Sequence, residues 1–285
     1  MMTEFRRIFL VVAALGLVFT GCSPERSDDR PEAVIPYDLD APVEYDLIED
    51  LQEISGISPL PGDSSLWAIN DETGKVYTLS LTGKVLSEKW FHKGGDYEDI
   101  AAYGREVYVM KSNGNLYRIE DPSADSLQAK SYKAGLSKEI EFESLAADTV
   151  AGRLWLLVKD GESEKGKAPI YGFDVKTGTY LSGHMGLLDP RTAPHVSVKG
   201  KSLRASAMAL HPITGELYVV SSIQRMLLVC DRDGNGIASH KLSKKRFPQP
   251  EGICFLANGD MFISSEGLSR PAKLYRFAYA PGGKR

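Results

Sequence analysis

The sequence predicts an all-β protein folded as a single β-propeller, with five blades favoured and six left open. Two observations support this class. Short runs rich in aromatic and branched residues are separated by Gly, Asn, Asp or Pro, and one phrase recurs at a spacing near 44 residues. Three or four strands in every 40 to 50 residues, roughly, is the pattern of a propeller blade. No segment with a helical period competes with this interpretation.

The recurring phrase consists of a polar residue, a small or acidic residue, an aliphatic residue, and then Ala, Ser or Cys. Its five copies are separated by 43, 45, 63 and 45 residues and begin at Ser55, Glu98, Glu143, Ser206 and Glu251. A second strand follows each copy, and we expect its aromatic residue to pack between blades; these residues are Trp67, Tyr108, Trp155, Tyr218 and Phe262. The longest gap holds an insertion, residues 178–201, which leaves room for a degenerate sixth blade.

The ring is predicted to close through its N-terminal strand. The chain ends soon after the third strand of the last repeat, and a spare strand-like run, Val43–Leu47, precedes the first phrase. If that run supplies the fourth strand of the last blade, the propeller has no free sheet edge. The domain is therefore predicted to cover residues 43–280.

The N-terminus predicts export and lipid anchoring. Arg6 and Arg7 precede an uncharged, mostly apolar run of 13 residues, 8–20, which is shorter than the roughly 20 residues that span a bilayer. The run ends at Gly21-Cys22 and resembles a bacterial lipobox, so residues 1–21 are predicted to be a signal peptide and Cys22 the lipidated residue. The alternative is a plain secretory signal with an incidental cysteine.

The residues after Cys22 predict a flexible tether and indicate which membrane holds the protein. Residues 22–42 are rich in Pro, Ser and charge and are predicted to be a flexible tether. Ser23 stands where the inner-membrane retention signal has Asp, which favours the outer membrane. We therefore expect a lipid-anchored protein of the bacterial cell envelope.

The net charge limits the class of binding partner, and the cysteine content limits the possible disulfides. The net charge of −4 without a basic cluster argues against a nucleic-acid partner. Cys230 and Cys254 lie in apolar strand-like runs, and the spacing leaves open one disulfide or two buried thiols. The partners expected are the membrane and an unidentified small-molecule or protein ligand.

Several phrases give the chain a family resemblance. The phrases are Glu53–Ile57, Asn70–Gly74, Gly95–Ile100, Gln249–Ile253 and Ser264–Gly267. In order and spacing they resemble the SdiA-regulated (YjiK-like) family of bacterial envelope propellers over about residues 43–280. The resemblance implies a propeller, an envelope location and, in some members, a link to calcium. The family is also distantly similar to phytase-like and esterase-like propellers. It implies no reaction or substrate.

Equivalent positions of the five blades predict an acidic ring at one mouth of the central channel. The first phrase positions give one set, and the residues four places after each second-strand aromatic give another, namely Asp71, Ser112, Lys159, Ser222 and Glu266. Crowded carboxylates raise one another's pKa unless a cation compensates, and Ca²⁺ takes six to eight oxygen ligands. Calcium is therefore the predicted cofactor. Its ligands would be Glu98, Glu143, Glu251, Asp71 and Glu266, with Ser55, Ser112, Lys159, Ser206 and Ser222 lining the channel. The alternative is a solvated funnel balanced by Lys159 and backbone amides.

Two further segments are interpreted as structural. Asp231–Gly236 repeats the first half of a calcium loop, but Leu242 stands where the loop needs Glu, so a tight hairpin turn is favoured. His211 precedes a turn and is expected to pack or to cap it.

The function predicted from these features is a membrane-anchored binding or sensing module with calcium in its channel. The alternative is a calcium-dependent hydrolase of a phosphoester, ester or lactone, with a free carboxylate such as Glu98 as the base. The sequence shows no cation cluster for a phosphate-rich substrate, which weighs against a phytase.

Overall fold

The computed structural model describes residues 35–62, 64–136, 140–160, 166–196 and 203–282. The predicted signal peptide, Cys22 and the tether up to residue 34 lie outside these residues. The described chain holds twenty strands and two short 3₁₀ helices, at Glu49–Leu51 and Pro190–Thr192. In chain order the strands are β1 Val43–Asp46, β2 Ile54–Pro59, β3 Ser65–Asn70, β4 Lys75–Ser80, β5 Val85–Trp90, β6 Tyr97–Tyr103, β7 Glu106–Lys111, β8 Leu116–Ile119, β9 Ala129–Tyr132, β10 Glu141–Asp148, β11 Arg153–Asp160, β12 Ala168–Asp174, β13 Thr179–Leu188, β14 Ala207–Leu210, β15 Leu217–Ser221, β16 Met226–Cys230, β17 Gly236–Lys241, β18 Gln249–Phe255, β19 Met261–Glu266 and β20 Lys273–Phe277.

The strands form five antiparallel sheets of four strands, so the described residues confirm a five-bladed propeller. Blades 1 to 4 are β2–β5, β6–β9, β10–β13 and β14–β17, and blade 5 contains β18, β19, β20 and β1. The first strand of each blade contacts the first strand of both neighbouring blades, which closes a ring around the channel. Part of the predicted insertion is the long fourth strand of blade 3, β13.

The N-terminal strand closes the ring as predicted. β1 pairs antiparallel with β20, with Glu44 opposite Tyr275. Blade 5 therefore joins both ends of the described chain. Closure through a sheet ladder of this kind leaves the last blade without an unpaired edge at β20.

The core lies between the blades rather than in one central cluster. The aromatic residues of the second strands are all buried, as predicted, with no more than 8% of any side chain exposed. Trp67 of blade 1, for example, packs with Ile100 and Val109 of blade 2. Large flat side chains suit this place because they fill the wedge between two twisted sheets.

The packed domain begins earlier than predicted. The tether was expected to reach residue 42, but Ile35 and Tyr37 are buried in the core between blades 4 and 5. Tyr37 Oη donates to Gly259 O at 2.6 Å, and its ring contacts Tyr218 and Phe255. Two apolar side chains in a short polar stretch are enough to dock it, so the predicted tether is too long by about eight residues.

The cysteine alternatives are resolved in favour of thiols. Neither Cys230 nor Cys254 forms a disulfide, and both are buried. Burial raises the pKa of the Cys230 thiol well above its usual value. Within the described part of the chain, no helix has both the length and the apolar character needed to cross a membrane.

Candidate functional site

The inner strands of the blades begin at one end of the channel, here called the mouth, and three of them place a glutamate there. Each of these strands carries a register shift at the phrase: between Tyr97 and Asp99 in β6, between Phe142 and Ser144 in β10, and between Pro250 and Gly252 in β18.

The residue skipped by the pairing is the glutamate of the phrase in each case: Glu98, Glu143 and Glu251. A β-bulge of this kind opposes two residues to one and turns the extra side chain away from its regular position. β2 has a comparable shift between Ile54 and Ile57. The bulges therefore place these glutamate side chains together at the mouth.

One half of the mouth neutralises itself. Lys159 Nζ lies 2.8 Å from Glu143 Oε2, and a hydrogen bond joins Glu98 to Glu143. Burial, together with the charge of the neighbouring Glu143, raises the pKa of Glu98 to about 9. At neutral pH Glu98 therefore keeps its proton and donates it to the Glu143 carboxylate, which Lys159 balances.

The other half of the mouth has no such balance. Burial raises the pKa of Glu251 to about 8, with Glu143 and Glu266 adding to the effect, and Ser222 bonds to the carboxylate. Burial and then the charges of Asp71 and Glu53 raise the pKa of Glu266 to about 7.

The carboxyl group of Asp71 is incompletely hydrogen-bonded. Its Oδ1 is buried without a hydrogen-bond partner. Burial, followed by the charges of Glu53 and Glu72, raises the pKa of its carboxyl. A buried carboxylate oxygen without a donor costs free energy, so this atom needs a proton or a cation.

The hydroxyl residues of the two predicted rings occupy different places. Ser206 and Ser222 line a cavity at the mouth, and Ser222 N donates to Ser206 Oγ at 3.1 Å. Ser112 Oγ donates to Asp96 Oδ2 at the rim. Ser55 is buried in β2. Only the first pair thus faces the cavity next to the glutamates.

Sequence reasoning missed the residues two positions before each phrase. They are Glu53, Asp96, Glu141, Arg204 and Gln249. Three of these positions precede the inner strand of their blade, and the other two are the first residues of theirs. Glu53 and Asp96 act on the mouth carboxyls by charge, and Gln249 bonds to Glu266. Continuing the period of two upstream from the phrase would have found them.

The expectation that no cation cluster exists is wrong. A cavity of about 390 Å³ opens beside Glu143 and Glu251, and besides Lys159, which pairs with Glu143, three further basic residues line it: Arg204, Arg225 and Lys244. They lie far apart in sequence and come together only because blade 4 and the loop into blade 5 meet at the mouth. The charge of Arg204 lowers the pKa of Glu143 against the larger effect of burial.

The donor set of the mouth suits a hard cation in chemistry but is not assembled around one. Carboxylates and hydroxyls are the oxygen ligands that Ca²⁺ prefers, and Asp71 offers an unsatisfied buried oxygen. In the described residues, however, no three acidic, imidazole or thiol groups already lie close enough together to hold a metal ion. An ion would have to draw Asp71, Glu266 and Glu251 inward.

The two segments interpreted as structural are confirmed in that role. Asp231 Oδ1 accepts from the backbone N of Asp233 and of Asn235 in the turn between β16 and β17, and Gly234 has a φ of 88°. His211 caps its turn, since its Nδ1 accepts from Ile213 N and Thr214 N.

Comparisons with known proteins agree with this architecture. Residues 34–278 match the model of the SdiA-regulated family. Among solved structures, the chain is similar to glutaminyl cyclase from Myxococcus xanthus, with a TM-score of 0.58 and 14% identity over 83% of this chain and 94% of that one. It is also similar to a luciferin-regenerating enzyme, with a TM-score of 0.53 and 12% identity over 86% of this chain and 97% of that one. At these identities the likeness shows the fold alone.

Proposed function

This chain belongs to the SdiA-regulated family, and from that membership we propose that it is an envelope binding module whose channel mouth holds a calcium ion. The observation that carries the proposal is the unbalanced half of the mouth. There burial raises the pKa of all three carboxyls, the charge of Asp71 adds to the shift of Glu266, and that of Glu266 adds to the shift of Glu251; a buried oxygen of Asp71 also lacks a hydrogen-bond partner. A divalent cation would satisfy all three groups at once.

The ion would be held by Asp71, Glu266 and Glu251, with Glu53 beside them. Glu98 and Glu143 serve a different purpose in this proposal, because the proton of Glu98 and the charge of Lys159 already balance that half. When bound, the ion supplies positive charge and open coordination sites for oxygen ligands. The chain contributes orientation through the bonds from Ser222 to Glu251 and from Gln249 to Glu266.

A thermal melt in chelator against one in millimolar calcium tests the site at pH 8, where protons compete less with the ion. At one hundred times Kd, a ligand that binds only the folded state stabilises it by about 2.7 kcal/mol, or roughly 5–11 °C for a domain of this size. Glu251→Gln and Glu266→Gln should remove most of this shift. Glu98→Gln and the exposed control Glu120→Gln should keep it.

Two results would contradict the calcium site. One is the absence of any calcium shift in the wild-type protein. The other is an equal shift in all four variants, which would indicate that calcium binds elsewhere and that the mouth is a solvated funnel.

The envelope location rests on the N-terminal motif. We propose that Cys22 carries the lipid anchor that holds the propeller at a membrane, the outer membrane being favoured by Ser23. Cys22→Ser should move the protein from the detergent phase to the aqueous phase in a phase-partition experiment. A variant that stays in the detergent phase would show that Cys22 is not the anchor.

A second candidate function is a calcium-dependent hydrolase. The observation that favours it is the cavity, which would bring a substrate beside Glu143 and Glu251. Of the two carboxyls that line this cavity, Glu251 suits a general base, since its pKa of about 8 lies near physiological pH and, among the described residues, no lysine pairs with it. A screen of ester, lactone and phosphoester substrates with and without calcium, repeated with Glu251→Gln, separates this function from binding alone.

A further inference from the structure

The cavity at the mouth has a second wall whose chemistry differs from that of the acidic floor. Its volume of about 390 Å³ falls in the range of small-molecule sites. Glu143, Glu251, Ser206 and Ser222 form one side. The other side belongs to loops of blade 4 and the connection into blade 5, and it is basic and apolar.

The basic groups of this wall are available to a ligand. Arg225 lies in the hairpin between β15 and β16, and Lys244 lies in the loop after β17; both are exposed and line the cavity. Within the described ranges no acidic side chain forms an ion pair with either of them. Arg204 lies on the same wall, nearer to Glu143.

The acidic floor does not cancel this positive charge. Glu143 already pairs with Lys159 at 2.8 Å. Glu251 accepts a hydrogen bond from Ser222. The cavity lining carries two carboxyl groups, Glu143 and Glu251, against four basic side chains: Lys159, Arg204, Arg225 and Lys244. The cavity as a whole therefore favours an anionic ligand.

Two exposed aliphatic side chains stand at the lip of the cavity. Ile223 is 63% exposed and Leu268 is 60% exposed, and both line it. They occupy equivalent hairpins, between the second and third strands of blades 4 and 5. Leu268 and Arg225 each have a φ of 53°, a region that disfavours branched and long side chains. Glycine would adopt this backbone conformation with less strain, yet the two loops have an apolar side chain at Leu268 and a basic one at Arg225.

We propose that this cavity binds a small amphiphilic anion, with a phosphate head between Arg225 and Lys244 and a short apolar chain against Ile223 and Leu268. The site uses residues outside the calcium ligands proposed above, so it does not depend on the ion. The same head group could come from a soluble alkyl phosphate or from a membrane phospholipid.

Calorimetric titration in the presence of chelator tests the proposal with three probes: hexyl phosphate, inorganic phosphate and hexanol. Hexyl phosphate should bind, and the head alone or the tail alone should bind at least about tenfold more weakly, because a charge-assisted contact and a buried aliphatic chain each contribute more than about 1.4 kcal/mol. Repeating the titration with calcium shows whether the two sites communicate.

Variants separate the head site from the tail site. Lys244→Gln should weaken both phosphate probes by about tenfold, whereas Lys245→Gln, its exposed neighbour outside the cavity, should change neither. Leu268→Asn tolerates the positive φ and should weaken hexyl phosphate by about three- to tenfold while leaving inorganic phosphate unchanged. Val150→Ser, at an exposed residue outside the cavity, is the matched control.

The source of the ligand is tested by flotation with phosphatidylcholine vesicles, with and without phosphatidic acid. Binding of hexyl phosphate in solution without vesicle capture supports a soluble ligand, and capture in addition supports a lipid. The proposal is overturned if hexyl phosphate does not bind in chelator, or if it binds equally to Lys244→Gln and Lys245→Gln. Loss of calcium binding with retained hexyl phosphate binding would remove the calcium site and leave this one intact.

Discussion

The two ends of the central channel are built from the same five strands, yet they have opposite chemistry. At the mouth, bulges in β6, β10 and β18 present Glu98, Glu143 and Glu251. A few residues later the same strands run without bulges and line a second cavity of about 120 Å³ with aliphatic and small side chains, among them Ala146 and Cys254. The bulged end collects charge, whereas the residues lining the cavity at the regular end are all uncharged.

This difference assigns separate roles to the two ends. The apolar end stabilises the ring by burying surface, while the mouth holds groups whose ionisation works against folding. Titratable groups with perturbed pKa values concentrate at functional sites because function needs them there despite the cost. A molecule that had only to fold would have no reason to place Glu251, Glu266 and Asp71 side by side.

The sharpest test of this contrast adds one carboxylate to each end. At the apolar end, Ala146→Glu is compared with Ala146→Gln, so that the cost of size cancels; at the mouth, Gln249→Glu is compared with the native Gln. At pH 8 the extra charge should cost about 3 kcal/mol or more at residue 146, because Ala146 is buried among apolar side chains. At residue 249 it should cost about 1 kcal/mol, through repulsion from Glu266.

Calcium provides the control for this pair. Millimolar calcium should recover the stability of the Gln249→Glu variant and leave the Ala146→Glu variant unchanged. Denaturant unfolding measures both. Equal costs at the two positions, or an equal response to calcium, would remove the distinction between the two ends.

The pH dependence of stability gives a second, smaller test. The carboxyl pKa values of Glu266, Glu251 and Glu98 are raised to about 7, 8 and 9, so the folded state binds protons more tightly than the unfolded chain. Their contribution is therefore greatest below the unfolded pKa near 4.5 and is lost as pH rises from about 5 to 9.

Measured in chelator, the free energy of unfolding should fall between pH 5.5 and pH 9, by about 1 kcal/mol or more. Glu98→Gln and Glu251→Gln should each flatten the curve, whereas Glu120→Gln should follow the wild type. A wild-type curve that rises or stays level over this range would show that the mouth is ionised at little cost.

The sequence was sufficient for the fold and for part of the site. The alternation of Tyr108, Trp155 and their equivalents with turn residues repeats often enough to specify blades and the closing strand. The phrase contains the three glutamates that the bulges present at the mouth, but a bulge is a property of backbone pairing and leaves no separate signal in one sequence. Arg225 and Lys244 were missed because only the meeting of two loops brings them together.

The last comparison concerns the side of the molecule opposite the mouth, where Tyr37 is docked beyond the ends of β14 and β18. His211 Nδ1 accepts from two backbone N–H groups, so the ring proton is on Nε2, which donates to Tyr37 Oη at 2.7 Å. Tyr37 Oη in turn donates to Gly259 O. Protonating Nδ1 would remove the acceptor for the turn.

This region should therefore respond to pH in the direction opposite to the mouth. Burial lowers the pKa of His211, although the charge of Glu216 opposes the shift. The neutral ring contributes stability above the unfolded pKa near 6.5, and that contribution is lost as pH falls through the lower folded value. The nearby Asp260, with its pKa lowered mainly by Arg276 and Tyr279 against burial, loses stability in the same direction.

Tyr37→Phe should cost about 1–3 kcal/mol, because it leaves the His211 Nε2–H and the Gly259 carbonyl without their partner. His211→Gln should remove the part of the acid sensitivity that comes from the ring and keep the part due to Asp260. Truncation before Ile35 should leave stability unchanged, whereas truncation before Pro42 should lower it, since only the second removes Tyr37. If both truncated proteins melt at the same temperature, the N-terminal segment is not held by this contact. If the His211→Gln variant loses as much stability at low pH as the wild type does, the two sides of the propeller do not differ in pH response as proposed.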